Sequence, residues 1–176
     1  MTLPDRFTTR RMRAERLTAD RLPEVLRMHG NADCMRYLGG PRDEHQAAAY
    51  LGRNLEHWER HGFGLWILHE LNGQQAIGRA VLRHVVVEGV DEVEVGYGFY
   101  REFWGRGLAT EVTTACLELG RGGLGLRSIV GLTDPDNHAS QWVLRKAGLA
   151  YEREILHDAV PSVLFRIQWP DETGAG

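Results

Sequence analysis

The stretch from Phe103 to Glu111 (FWGRGLATE) constrains the fold most, because it joins a strand-like segment to a helix through closely spaced glycines. Before it, the segment from Asp91 to Tyr100 alternates apolar and other residues with the period of a strand. After it, apolar residues recur every three or four positions as far as about Gly120, which is the period of one helical face. No Ser, Thr, Asp or Asn stands directly before this helix, so its first N–H groups lack an evident cap.

This glycine-rich entry predicts an anion site at the start of the helix. Gly105 and Gly107 allow a ligand to approach the backbone closely, and Arg106 adds a positive charge where the helix dipole is already positive. Free amides, glycine and a cation together suit a phosphate group. A tight turn without a ligand is the alternative interpretation, since a short Gly-x-Gly also marks turns.

Composition limits the class of protein and its partners. The chain has 176 residues, 43% of them hydrophobic and 26% charged, which predicts a single globular domain over 1–170 and a polar C-terminal tail over 171–176. The net charge of −3 and the scattered arginines argue against nucleic acid as a partner. Apolar runs fall short of the roughly 20 residues of a membrane span, and the N-terminus lacks a signal-peptide pattern, so we expect a cytoplasmic protein with no membrane partner. Neither the two cysteines nor the eight histidines show metal-ligand spacing, so no metal is expected.

Hydrophobic periodicity predicts a mixed α/β fold with a mostly antiparallel sheet of about seven strands, flanked by helices. Three successive strands with short turns precede the glycine loop and predict an antiparallel meander. The predicted strands are Thr8–Thr18, Phe63–Glu70, Gln75–Val87, Asp91–Tyr100, Arg127–Leu132, Leu149–Leu156 and Val163–Trp169. Besides the central helix, the predicted helices are Thr18–His29, Asp43–His61 and Asn137–Ala147.

Two side chains outside the loop are candidates for chemistry. Glu94 shares a strand face with Gly96 and Gly98, whose missing side chains leave a trough for a ligand. A solvated carboxylate on an exposed face is the alternative for Glu94. Asn137 suits the N-cap of the next helix, and Ser140 follows on its inward stripe. An inward hydroxyl needs a partner, which is either a backbone carbonyl or a ligand atom.

A dinucleotide-binding loop of the Rossmann type is the competing interpretation of the glycines. Gly105 to Thr110 matches two of the three glycines of that fingerprint, and Asp134 ends the next strand. Thr110 stands in place of the third glycine, and an antiparallel meander leads into the loop, both of which disfavour it.

The loop resembles the pyrophosphate motif Gln/Arg-x-x-Gly-x-Gly/Ala of the GNAT superfamily of acyl-CoA N-acyltransferases. The corresponding residues are Trp104 to Ala109, with Trp104 replacing the first Gln or Arg. Within the superfamily, the chain is similar to the branch that contains the ribosomal-protein N-terminal alanine acetyltransferases. The shared features are Glu-Val-Gly-Tyr at 94–97, Asn-x-x-Ser…Lys-x-Gly at 137, 140, 146 and 148 and, more loosely, an opening Thr-x-Arg-x-x-x-x-x-Leu-Thr.

The resemblance implies a sheet with a splayed strand pair and acetyl-CoA as co-substrate. Backbone amides from Arg106 to Thr110 would hold the pyrophosphate, and the strand edge near Tyr97 to Phe99 would pair with pantetheine beside a bulge. Asn137 would contact the pantetheine, and Ser140 would lie near the sulfur. The cofactor-binding residues implied in this way are Tyr97, Phe99, Trp104, Gly105, Arg106, Gly107, Leu108, Ala109, Thr110, Asn137 and Ser140.

The implied reaction is direct attack of a primary amine on acetyl-CoA in a ternary complex, with a protein N-terminal α-amine or a small-molecule amine as acceptor. Glu94 is the expected general base, directly or through water. Leu144 stands where many relatives carry a tyrosine acid, so Ser140 is the candidate proton donor. The acceptor would be bound by two segments, Asn31–Arg42 and the hairpin near His157–Ser162. A non-catalytic acyl-CoA-binding module is the alternative function, and both a monomer and a homodimer fit the sequence.

Overall fold

A single, mostly antiparallel sheet carries the fold of the computed structural model, which describes residues 1–170; the predicted tail at 171–176 lies outside the described residues. Within 1–170, eight strands lie in the order β1-β2-β3-β4-β5-β6-β8-β7, and the predicted fold class is confirmed. The strands are β1 (Arg6–Thr8), β2 (Met12–Arg16), β3 (Leu65–Glu70), β4 (Ala76–Val87), β5 (Val90–Phe99), β6 (Ser128–Thr133), β7 (Ala150–His157) and β8 (Val160–Gln168). The helices are α1 (Leu22–His29), α2 (Ala32–Met35), α3 (Glu44–His61), α4 (Leu108–Leu124) and α5 (His138–Lys146).

The eighth strand arises because the predicted first strand, Thr8–Thr18, is a hairpin of β1 and β2. At its turn the Thr9 N–H donates to the Met12 carbonyl at 2.9 Å, and the Met12 N–H donates to Thr9 Oγ1 at 3.1 Å. The Thr9 hydroxyl donates in turn to Glu111 on α4 at 2.6 Å. The prediction of one continuous strand was wrong, because this turn contains no Gly or Pro and is stabilised by a partner far along the chain.

Helix α4 also runs further than its sequence predicts. Gly120, expected to end the helix, lies inside it, where a Cβ would come within 2.5 Å of Ile129 Cδ1. This glycine therefore allows α4 to pack closely on β6. Gly125, in the left-handed region at φ +66°, ends the helix instead.

Buried apolar side chains cover both faces of the sheet. One face packs with α4 and α5 around residues such as Val95, Val112 and Leu144, and the other packs with α1 and α3 around Val25 and Val81. On β5, the residues predicted to alternate do so: Val93, Val95, Tyr97 and Phe99 belong to the first face. None of the helices within 1–170 combines the length and apolarity needed to cross a bilayer.

The two central strands, β5 and β6, run parallel and are splayed. Their backbone pairing is confined to Glu94 and Val130, so most of the length of the two strands is unpaired, as the resemblance implied. The β4–β5 ladder keeps one register from Gly78–Phe99 to Val87–Val90. A bulge was expected beside this splay, and this ladder shows none. Strand β5 leads at its C-terminal end into the loop before α4.

Candidate active site

The N-terminus of α4 keeps the open backbone that its sequence predicts. Gly107 is the N-cap residue at φ +76°, Gly105 lies at φ +71°, and no side chain caps the helix. Both glycines occupy the left-handed region, which disfavours residues with a Cβ. A Cβ built on Gly105 would meet nothing within 4 Å. The amides of Leu108, Ala109 and Thr110 therefore start a helix whose entrance has room for a ligand.

Arg11 contributes a cation to this loop that the sequence reasoning missed. Its Nη1 donates to the Arg106 carbonyl at 2.7 Å, and its Nη2 would lie 3.5 Å from a Cβ on Gly107. Its Nε donates to Glu111 Oε2 at 2.7 Å. The only sequence signal for Arg11 was the loosely matched Thr-x-Arg at the start of the chain, because no local pattern connects it to the loop.

The other charges around the loop are held by the protein in defined positions. The Arg106 guanidinium carbon lies 5.2 Å from the centre of the Phe103 ring, and its Nη1 is 3.8 Å from Glu70. Burial raises the pKa of the Glu111 carboxyl, but hydrogen bonds from Thr9 and Arg11 lower it more, so that this pKa lies below its ordinary value. Glu111 is thus tied to the β1–β2 hairpin. Two cations, Arg11 and Arg106, flank the open amides.

Trp104, which replaces the first Gln or Arg of the motif, binds the end of β5. Its indole N–H donates to the Phe99 carbonyl at 2.8 Å, and the residue is 45% exposed. Cys34 Sγ lies 3.6 Å from the same carbonyl, while the Phe99 ring is buried in the core. The structure therefore brings Trp104 and Phe99 together, and the Phe99 carbonyl already has a partner within the protein.

Tyr97 and Ser140 form a hydroxyl pair beside the splayed strands. Their oxygens lie 2.8 Å apart, and Tyr97 also contacts the Ser140 backbone carbonyl at 3.1 Å. Asn137 caps α5 by accepting the Ser140 N–H at 3.1 Å, as its position predicts. Burial raises the pKa of Tyr97 to about 12, so its proton stays on the phenol at neutral pH. Leu144 is buried and packs against Gly131. A Cβ on Gly131 would lie only 2.7 Å from Leu144 Cδ2. The partner required by the inward Ser140 hydroxyl is therefore a tyrosine of β5.

Glu94 is buried and ion-paired, so the alternative of a solvated carboxylate is wrong. Only 6% of the residue is exposed, and its Oε2 accepts from Arg83 Nε at 2.9 Å and lies 2.8 Å from Arg83 Nη2. The carboxylate raises the pKa of Arg83. Glu94 is also the β5 residue that pairs with β6, so it stands where the strands begin to separate.

Strand β5 presents these groups on its two faces. Glu94 lies on the side of α1 and α3, whereas Tyr97 lies on the side of α4 and α5 with Ser140. Strand β5 therefore carries a carboxylate on one face and a hydroxyl pair on the other. Such a pair suits a transfer in which one reactant loses a proton and a leaving group gains one.

Comparison with known proteins gives this arrangement a family. Residues 11–150 match the family model of the acetyltransferase (GNAT) domain. The chain belongs to the GNAT acetyltransferase family. Among curated proteins, it is 30% identical over 128 residues to the uncharacterized protein YkkB of Bacillus subtilis (strain 168), covering 73% of this chain and 74% of YkkB.

Solved structures share the GNAT fold over nearly the whole chain. An acetyltransferase from Agrobacterium tumefaciens str. C58 has a TM-score of 0.83 and 20% identity, with 96% of each chain covered. RimL, a ribosomal L7/L12 alpha-N-protein acetyltransferase solved in complex with coenzyme A, has a TM-score of 0.73 and 14% identity, with 96% of this chain and 98% of RimL covered.

Family membership confirms the resemblance and makes this chain an acetyl-CoA-dependent acyltransferase. The Rossmann alternative is wrong, because the GNAT domain spans the glycine loop. The family defines the class of reaction and the thioester donor.

Proposed function

We propose that this GNAT protein transfers the acetyl group of acetyl-CoA to a primary amine while both substrates are bound. The observation that carries the proposal is the uncapped, glycine-lined N-terminus of α4 with Arg11 and Arg106 beside it. Such a site fits the pyrophosphate of coenzyme A in charge and in access. Both cysteines, Cys34 and Cys116, are free thiols, which suits the reducing cytoplasm as its compartment.

The proposed donor site continues from the loop along the splayed strand. Amides from Arg106 to Thr110 would bind the pyrophosphate, and the open edge near Tyr97 would face the pantetheine. The Asn137 side chain uses its oxygen to cap α5, which leaves its amide N–H groups to donate to a pantetheine carbonyl. Acetyl-CoA supplies the acyl group as a thioester.

Glu94 is the proposed proton acceptor for the amine, directly or through water. Its ion pair with Arg83 fixes the carboxylate at the point where β5 and β6 separate. A chain α-amine, with a pKa of about 7.7–8.0, is already partly neutral at pH 7, whereas a lysine near 10.4 is not. A carboxylate with a fixed cation beside it therefore suits an α-amine or another weakly basic amine.

Ser140 is the proposed proton donor to the leaving thiolate, with Tyr97 positioned behind it. The Ser140 hydroxyl would pass its proton to the leaving sulfur while it takes the Tyr97 proton, and the phenolate would then regain a proton from solvent. The Tyr97 pKa of about 12 keeps the phenol protonated before the reaction. This pair would replace the tyrosine acid of many relatives, whose place Leu144 takes. A backbone N–H of the splayed strand would stabilise the developing oxyanion. Holding the amine and thioester in line would contribute roughly 7–11 kcal/mol to lowering the barrier.

An acceptor screen read by release of free thiol from acetyl-CoA tests the proposal. The panel contains N-terminal peptides, polyamines and aminoglycosides, and Gly107→Glu serves as the variant in which a carboxylate enters the pyrophosphate loop. We expect at least one amine to accelerate thiol release in the wild type and not in this variant. Acetyl-CoA binding without amine-dependent thiol release would contradict the proposal and favour an acyl-CoA-binding module.

A further inference from the structure

Four arginines lie on the sheet face that carries Glu94, and two of them, Arg42 and Arg79, contact the Tyr50 ring. We call them the arginine cluster: Arg42 before α3, Arg53 on α3, and Arg79 and Arg83 on β4. The guanidinium carbons of Arg79 and Arg42 lie 5.3 Å and 5.4 Å from the centre of the Tyr50 ring. Arg79 also donates a hydrogen bond to the Tyr50 hydroxyl. Strands and helix thus bring several positive charges to one aromatic ring.

The arginine cluster carries more positive charge than the protein balances. Arg83 pairs with Glu94, whereas Arg42, Arg53 and Arg79 have no carboxylate within 4.0 Å among residues 1–170. Burial and the fields of the other three guanidiniums together lower the pKa of Arg42. Arg42, Arg79 and Arg83 are half-buried and Arg53 is exposed. Like charges brought together in this way repel one another, and a bound anion would offset the repulsion.

The residue that packs against the Tyr50 ring, His29, is buried and neutral. The His29 ring lies 4.3 Å from the Tyr50 ring, and both of its nitrogens are buried without a hydrogen-bond partner within the described chain. Burial and the nearby arginines lower the pKa of His29 to about 4, so it is uncharged at pH 7. The Arg42 N–H donates to the His29 carbonyl at 2.9 Å, which fastens the loop before α3 to α1. This contact holds Arg42 near Tyr50.

The cluster lies alongside the proposed base. On the β4–β5 ladder Arg83 is paired with Glu94, and Arg79 is paired with Gly98 four residues further along. A Cβ on Gly98 would lie 3.7 Å from Arg79 Nε, so the glycine leaves open the space next to this guanidinium. The trough predicted from Gly96 and Gly98 is thus bordered by Glu94 at one end and by Arg79 at the other.

We propose that the acceptor amine carries an anionic group, a carboxylate or a phosphate, which Arg42, Arg53 and Arg79 bind while the amine faces Glu94. The inference rests on the proposed function, because that function assigns the amine to Glu94. Planar guanidinium groups bind carboxylate and phosphate oxygens in pairs, and an aromatic ring beneath them holds them in place. Acidic amino acids, peptides with an acidic residue near the N-terminus and phosphorylated amines all meet this requirement.

Matched acceptor pairs test the preference. The pairs are glutamic acid α-amide and glutamine α-amide, phosphoserine amide and serine amide, and the C-terminally amidated peptides Ala-Glu and Ala-Gln. All of them offer an α-amine, and rates are expressed per neutral amine. We expect the anionic member of at least one pair to have a kcat/KM about ten- to a hundredfold higher, the range for a hydrogen bond to a charged group. The carboxylate and phosphate pairs separate the two sources of the anion.

Variants separate recognition from a structural role of the cluster. Arg79→Met and Arg42→Met are expected to remove the preference by raising KM for the anionic amine, and Arg42→Lys to restore part of it. Arg60→Met, on the exposed surface of the same helix α3, is the control and is expected to keep the preference. If the methionine variants unfold more easily and keep the preference, the cluster is structural and the proposal is wrong.

A binding measurement makes the proposal independent of turnover. With coenzyme A saturating the α4 loop, the thermal midpoint is followed against inorganic phosphate and against glutarate. We expect an upward shift in the wild type and in Arg60→Met, and its loss in Arg79→Met. Equal rates within every pair, or no shift with either anion, would overturn the anionic acceptor and leave the proposed function standing. Failure to bind coenzyme A would overturn the proposed function and with it the assignment of the amine to Glu94, whereas a thermal shift with either anion would still show that the arginine cluster binds anions.

Discussion

Replacing Gly107 with alanine tests the pyrophosphate loop by a change that adds one methyl group. At φ +76° an L-residue is strained by about 1–2 kcal/mol. The new Cβ would lie 3.5 Å from Arg11 Nη2, an ordinary contact, so backbone strain dominates over collision. Because alanine also reduces the freedom of the unfolded chain by about 0.4–1 kcal/mol, the net loss of stability should be about 1 kcal/mol.

The consequence for binding follows from how the chain would relieve that strain. Rotation of Gly107 towards negative φ turns the adjoining peptide and moves the Leu108 N–H away from the loop entrance. A hydrogen bond to a charged group contributes about 1.5–3 kcal/mol, so loss of one amide donor should weaken acetyl-CoA binding about ten- to a hundredfold.

Calorimetric titration with acetyl-CoA and with acetyl-pantetheine, which lacks the pyrophosphate, separates this effect from general damage. Only acetyl-CoA should lose affinity. Gly122→Ala, on the same helix, is the control, since its Cβ meets nothing within 4 Å and should stabilise α4 by about 0.5–1 kcal/mol without changing affinity. If Gly107→Ala weakens both ligands equally, or leaves acetyl-CoA binding unchanged, pyrophosphate does not bind at this loop.

Four further substitutions probe the remaining groups. Glu94→Gln should lower turnover more at acidic than at alkaline pH with acetyl-CoA affinity intact, and an unchanged pH–rate profile would remove Glu94 from the mechanism. Ser140→Ala should lower kcat by about a hundredfold, and Tyr97→Phe by less, since the serine hydroxyl stays; wild-type kcat in Ser140→Ala would contradict its role. The His29 pKa of about 4 lies below its ordinary 6.5, so the unfolded state takes up the proton first as pH falls. This contribution to stability, up to about 3 kcal/mol, is present above pH 6.5 and lost towards pH 4. Urea unfolding of His29→Phe at pH 7 and pH 4.5 should show a weaker pH dependence than the wild type, and identical curves would refute the assignment.

Features that depend on neighbouring residues could be predicted from the sequence. The period of β5, the uncapped glycine entry to α4 and the Asn137 cap of α5 are set within a few residues, and each is present in the structure. The motifs on which the family resemblance is based also lie in these segments and follow one another in the family's order. The first hairpin was not predicted, because Thr9 at its turn is held by a distant residue, Glu111 on α4.

Only the tertiary structure decided which charged and hydroxyl side chains contact one another. Arg11 reaches Glu111 across 100 residues of chain, Tyr97 reaches Ser140 across 43, and the arginine cluster unites β4 with α3 and the loop before it. The sequence determined the GNAT fold and the uncapped, glycine-rich start of α4. Hydrophobic period and backbone conformation are local properties, whereas ion pairs and hydroxyl pairs depend on strand register and helix packing, which bring distant residues within a few ångströms.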